Sequence, residues 1–93
     1  MATIQNKTTK ETATEFNFDN GAWVKVDTFD EDVNENGADY EYMVDDDEET
    51  YISGCLEFDS NVLIGFDGCY ELPQEVVTAV ADLGYQIDDI FNE

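Results

Sequence analysis

The chain has no histidine and no arginine, and its only bases are Lys7, Lys10 and Lys25. The missing imidazole excludes triads and dyads built on histidine and any zinc site with a histidine ligand. So few cations argue against direct binding of nucleic acid, whose phosphates are held by Lys and Arg. No apolar run approaches the ~20 residues of a membrane-spanning helix. An anionic membrane surface would repel so acidic a chain. The stretch from Met1 to Lys10 lacks the apolar segment of a secretory signal, so a cytoplasmic location is expected.

What is present is acid. Among 93 residues there are 24 Asp and Glu against 3 bases, a formal net charge of −21. Apolar residues make up 42% and aromatics 13%. That share is too high for an acidic disordered tail, and a chain of this length can close one small core. From Val26 to Glu93, 68 residues carry 21 carboxylates and no base. These acids cannot be neutralised by a lattice of surface ion pairs, and their mutual repulsion works against compaction. A globule of this mass exposes ~5,400 Å², or roughly 230 Å² per carboxylate if the charges are spread evenly. Duplex DNA has one charge per ~1.7 Å of axis, on the order of 110 Å² per charge on a cylinder roughly 20 Å wide. Gathering most of the acids on one half of the surface would match that density.

Along the chain, residues 1–13 read as a polar arm or short edge strand, and residues 14–93 as a single compact acidic domain. Thr14–Asp19 alternates, with Phe16 and Phe18 on one face. Asn20-Gly21 is a strong hairpin signal, because a type I′ turn needs φ > 0 at both positions. Ala22–Phe29 reads as the return strand. Ala38–Val44 alternates Tyr40, Tyr42 and Val44 against Asp39, Glu41 and Asp45. Asp45–Glu49 is an unbroken acidic run, expected as a solvated loop or turn. Thr50–Phe58 and Asn61–Phe66 read as two further strands, turned at Asp59-Ser60. Gly54 marks a bulge or a close backbone approach. Pro73 opens a helix to about Leu83, with Val76, Val80 and Leu83 on one stripe, and Gly84 stops it. Tyr85–Glu93 fits a strand or a short helix. The expected fold is α+β: an antiparallel β-meander of about five strands with one C-terminal helix. The helix covers one face. On the other, Glu15/Asp19, Asp39/Glu41/Asp45, Glu57/Asp59 and Asp67 are expected to form rows, with alternate residues of a strand ~6.6–6.8 Å apart.

Several constellations bear on possible chemistry. Asp32, Asn34 and Asn36, followed by Gly37, match the first half of an EF-hand loop. The bidentate Glu required at its end is replaced by Met43, so a plain Asx/Gly turn is favoured over a weak Ca²⁺ site. Asp45–Glu49 could gather divalent cations, but reads better as solvated loop or as one end of a negative docking surface. Cys55 and Cys69 read as reduced thiols, or as a disulfide if neighbouring strands align them. A nucleophilic Cys needs a nearby cation or helix N-terminus, and the field here is negative. Paired carboxylates such as Glu57 and Asp59 could act as acid and base. Chance pairs abound in so acidic a chain, however, and a domain this small has little room for a pocket of about 300 Å³. No enzyme and no cofactor are expected. Tyr40, Tyr42, Tyr51 and Tyr70 lie among the acids; about half are expected in the core, and any that are exposed are candidate interface anchors, Tyr40 and Tyr42 foremost.

In size, extreme acidity over residues 26–93, absence of Arg and His, and compact β-rich pattern, the chain resembles the small phage-encoded acidic DNA-mimic inhibitors of the anti-CRISPR and anti-restriction type. The resemblance implies a non-catalytic inhibitor, working in the host cytoplasm, that blocks the DNA-binding site of a CRISPR effector complex or restriction enzyme. The partner is then a basic nucleic-acid-binding protein, with no direct contact to nucleic acid or membrane. The expected partner-binding residues are Asp39, Glu41, Asp45, Asp46, Asp47, Glu48, Glu49, Glu57, Asp59 and Asp67, with Tyr40 and Tyr42. The alternatives are a small metal-binding acidic module and a halophilic acidic domain.

Overall fold

The computed structural model describes residues 2–27 and 33–91. Seven strands lie side by side in chain order: β1 (Ile4–Thr9), β2 (Ala13–Phe18), β3 (Ala22–Asp27), β4 (Ala38–Val44), β5 (Asp47–Asp59), β6 (Val62–Phe66) and β7 (Gln86–Ile87). Pairing is antiparallel from β1 to β6, and β7 joins β6 in parallel. The sheet curls like half a barrel. A one-turn helix, α1 (Val33–Asn36), precedes β4; α2 (Gln74–Asp82) packs on the inner face; a 3₁₀ turn follows at Asp89–Phe91.

The expected antiparallel meander of about five strands is thereby corrected to a mixed, curled sheet of seven. Two strands make the difference, and each has a strand among its two expected forms. β1 is almost wholly polar and exposed, and is held by its backbone ladder to β2. β7 is two residues long and is fixed from outside itself: the Gln86 N–H donates to the Asn61 carbonyl (3.0 Å) and the Asp88 N–H to the Leu63 carbonyl (3.1 Å). The expected extension of the third strand to Phe29 lies outside the described residues.

The inner face follows the alternation of the sequence. Phe16, Val24, Tyr42 and Ile52 form one cross-strand row, and Thr14, Val26, Tyr40 and Gly54 the next. Val76, Val77, Ala79 and Val80 of α2 close over these rows. Fully burying a valine side chain stabilises by about 1.5–3 kcal/mol, so Val76 and Val80 alone hold the helix down firmly. The helix needs this, since Pro73 provides no side-chain cap and its last turn has no base. Lys7 of β1 supplies that missing cation, reaching Asp82 Oδ2 at 2.7 Å, where an ammonium also favours the negative end of the helix.

The turns depart from expectation in an informative way. At Asn20-Gly21 only Gly21 has a positive φ (88°), so the link is a three-residue loop and not a type I′ turn. The turn with positive φ at both central residues is Ser60–Asn61 (52° and 64°), between β5 and β6. It is braced from outside: Asn34 Oδ1 accepts the Asn61 N–H (2.7 Å), and Asn34 Nδ2 donates to Asn61 Oδ1 (3.1 Å). Gly54 is a close approach, since a Cβ there would collide with the Asp67 carbonyl oxygen. Asp67 is stapled to the neighbouring residue twice: its N–H donates to the Cys55 carbonyl (2.9 Å), and its Oδ1 accepts the Cys55 N–H (2.7 Å).

Candidate partner-binding surface

The strand parity that sends apolar residues inward sends carboxylates outward. On the outer face Glu15, Lys25, Glu41 and Ser53 lie in one cross-strand row, and Asp27, Asp39 and Cys55 in the next. Strands stand about 4.7–4.9 Å apart, so Asp27 and Asp39 form a like-charged pair directly opposite one another. Lys25 Nζ sits between Glu41 Oε2 (3.5 Å) and Asp27 Oδ1 (3.9 Å). Asp27, Asp39, Glu41 and Asp67 border a shallow depression of about 430 Å³. Glu57 and Asp59 continue the outer side of β5 and are exposed.

Asp45–Glu49 was expected as a loop or turn. Only Asp45 and Asp46 form the hairpin turn; Asp47, Glu48 and Glu49 open β5. That end of the strand bulges. Between the pairs Tyr42↔Ile52 and Val44↔Asp47, β5 advances five residues while β4 advances two. Thr50 ties the bulge, accepting the Val44 N–H (2.8 Å) and donating to the Asp47 carbonyl (2.7 Å). The ladder thus expels the acids into solvent at the tip while keeping Ile52 inside.

The tyrosine anchors are corrected. Tyr40 is 1% exposed and Tyr42 packs against the core, because both share the inward parity of Val44. Tyr40 donates its hydroxyl to the Asp67 carbonyl (2.7 Å) and lies 3.1 Å from Cys69 Sγ. Burial is the main cause that raises the hydroxyl pKa of both. Aromatic and apolar side chains that do lie on the outer face include Tyr51, Trp23 and Met43, and Ile64 of β6 is exposed as well. Tyr51 donates to Glu41 Oε1 (2.7 Å), which raises its pKa, and Trp23 Nε1 donates to Glu15 Oε1 (3.3 Å). Trp23 and Met43 are cross-strand partners beside Asp45 and Asp46. Their parity with Lys25 and Glu41 was the signal that would have found them.

Two outer-face carboxylates shift in opposite directions. The Lys10 ammonium hydrogen-bonded to Glu15 is the main cause that lowers its pKa. Burial is the main cause that raises the pKa of Asp27; Lys25 opposes it, and Glu41 and Asp39 add to it. Burial, followed by Asp39 and Asp67, raises the Cys55 thiol above its ordinary range, which is the reverse of what a nucleophile needs. Cys55 and Cys69 are free thiols.

The metal readings gain no support. No group of three or more acidic or Cys side chains is arranged to hold a metal among the described residues. Of the half calcium loop, Asp32 lies outside those residues, Asn34 is engaged with Asn61, and Asn36 ends α1. The described residues also contain no helix long and apolar enough to cross a membrane. No protein family, no curated protein and no solved structure matches the chain.

Proposed function

We propose that the chain is a non-catalytic inhibitor that presents carboxylates in place of phosphates and occupies the nucleic-acid-binding surface of a basic host-defence protein, a CRISPR effector complex or a restriction enzyme. The observation that carries this reading is the outer side of β4 and β5. Asp39, Glu41, Glu57, Asp59 and Asp67 lie there, the run Asp45–Glu49 extends the tip, and Lys25 is the sole base from β3 to the C-terminus. The exposed surface of 5705 Å² gives roughly 240 Å² per carboxylate on average, and the concentration of acids on this side brings the local figure toward that of a duplex. Docking displaces the ions held by the target's Lys and Arg, and complementary charge sets encounter rate and register. Tyr51, Trp23 and Met43 supply the less polar contacts at the centre.

The test is DNA competition on a purified target, with the wild type and a variant changing Asp39, Glu41, Asp45, Asp46, Asp47, Glu48 and Glu49 to Asn or Gln. Single exposed ion pairs contribute roughly 0.2–1 kcal/mol, so one substitution should do little and the set should cost about 1.5–7 kcal/mol by that sum. Inhibition should also weaken steeply with added salt. A folded seven-site variant that still displaces DNA at wild-type potency overturns the proposal.

A further inference from the structure

At the opposite end of the sheet from the lysine-bearing strands, a groove of about 320 Å³ lies open, where apolar and aromatic side chains are mixed with the polar Glu71 and Gln74. Leu72 and Val77 form its floor. Phe66 and Phe91, with ring centroids 5.9 Å apart, form one wall, and Tyr70 and Ile90 stand on the rim. The rim is not packed: Tyr70 is fully exposed and Ile90 is 68% exposed. A lone exposed apolar residue is ordinary, but two beside one groove that Phe66, Leu72, Val77 and Phe91 also line make a candidate interaction site. The surroundings define what fits. Glu71 lines the groove, Asp88 and Asp89 adjoin Ile90, and no base occurs after Lys25. In sequence the groove's Tyr70 follows three residues after Asp67, which borders the depression on the outer face and whose carbonyl is held by Tyr40.

We propose that this groove takes one large apolar side chain from a cationic amphipathic segment of the partner protein, whose flanking Lys or Arg meet Glu71, Asp88 and Asp89. The inference rests on the reading that the partner is basic. It adds to that reading the anchor that a purely electrostatic face lacks, since interface energy concentrates in a few desolvated apolar or aromatic contacts. An apolar residue flanked by acidic side chains would be repelled here, and a bare cation would leave the groove wet.

Two peptides separate the groove from the acidic face: a short Leu/Lys amphipathic peptide and an oligolysine of equal charge, each titrated into the isotopically labelled full chain and followed by amide NMR. The Leu/Lys peptide should move the amides of Tyr70, Glu71, Val77 and Ile90, and bind about tenfold more tightly than oligolysine, the loss expected of one anchor. Oligolysine should move Asp39, Glu41 and Asp45 instead. Tyr70→Ser with Ile90→Ser should bring the two affinities together without shifting the urea midpoint, since both side chains are exposed. Equal affinities in the wild type, or a Leu/Lys response confined to the outer face, overturn the groove proposal and leave the acidic-face reading standing. Failure of oligolysine to bind counts against that reading separately. A concentration-dependent dimer abolished by the double substitution would overturn the groove proposal in favour of a second copy as the occupant.

Discussion

The first 25 residues hold three acids and three lysines, and the other 68 hold 21 acids and no base. One fold therefore contains a region with no net charge, running from β1 into β3, and a region of 21 carboxylates with no cation of its own. The difference lies in what partners the carboxylates. The lysines of the first region reach one acid of their own, Glu15, and three of the second: Lys7 pairs with Asp82, and Lys25 with Asp27 and Glu41. Elsewhere in the second region neutral donors hold carboxylates, and Glu41 takes one as well. Asp67 accepts the Cys55 N–H, Asp47 the Glu49 N–H, Asp88 the Ile90 N–H, and Glu41 the Tyr51 hydroxyl. A peptide N–H or a hydroxyl satisfies an oxygen without cancelling its charge. The second region thus fixes its acids in place while keeping the field that the proposed function uses.

The largest expected effect comes from breaking that neutral scaffold at its buried point. Tyr40→Phe removes the donor to the Asp67 carbonyl and should destabilise by about 1–3 kcal/mol, the cost of a lost buried partner. Urea unfolding is the measurement, since guanidinium would screen the charges. Exchange of the Cys55 amide should quicken as residue 67 loosens. A midpoint equal to wild type would show that the segment is held by packing alone.

Asp67 sharpens the point. If its oxygen matters for the hydrogen bond and not for charge, Asp67→Asn should leave stability nearly unchanged, because the amide oxygen can still accept from Cys55. Asp67→Ala should lose about 1 kcal/mol. Equal losses in the two variants would instead assign the effect to the charge.

Much of this arrangement was legible in the residues. Alternation placed β2 to β6 within a few positions, and Pro73, the valine stripe and Gly84 bounded α2 closely. Tyr40 and Tyr42 were misplaced although their own pattern held the answer: side chains alternating with Asp39 and Glu41 cannot share a face with them. β1 and β7 were each legible only as one of two alternatives, an arm or an edge strand and a strand or a short helix; what decides for the sheet is the backbone ladder each makes to its neighbour. The clasp of Asn34 on Asn61 was not legible, because it closes a 27-residue separation. The depression around Asp27, Asp39, Glu41 and Asp67 joins three parts of the chain through strand register, which composition does not encode.

At the boundary between the regions, Lys25→Gln should cost roughly 0.2–1 kcal/mol, since its two partners are only partly buried. The loss should be greatest at low ionic strength and fade near 1 M salt, where the Debye length is ~3 Å. A loss independent of salt would mean that the lysine stem, packed across the outer face, matters more than its charge.

The smallest effect carries the clearest sign. Asp27 and Asp39 face each other across the β3–β4 ladder, and burial foremost raises the Asp27 pKa. The native chain therefore holds the Asp27 proton to higher pH than the unfolded chain does. As pH falls from neutral through the interval above the unfolded value of about 3.9, the native state binds this proton first and gains stability. Above that interval the ionised pair is a cost. Asp27→Asn should thus stabilise at neutral pH by a few tenths of a kcal/mol, the scale of a like-charged cross-strand pair offset here by Lys25. The gain should shrink to nothing once the wild-type carboxyl is protonated. Glu15 runs the other way: its lowered pKa contributes stability at neutral pH that is lost on acidification through the folded value. Thermal melts of Asp27→Asn and Glu15→Gln across the acid range should give difference curves of opposite sign. Curves of the same sign would mean that the general repulsion among the carboxylates, and not the local partner, governs each site.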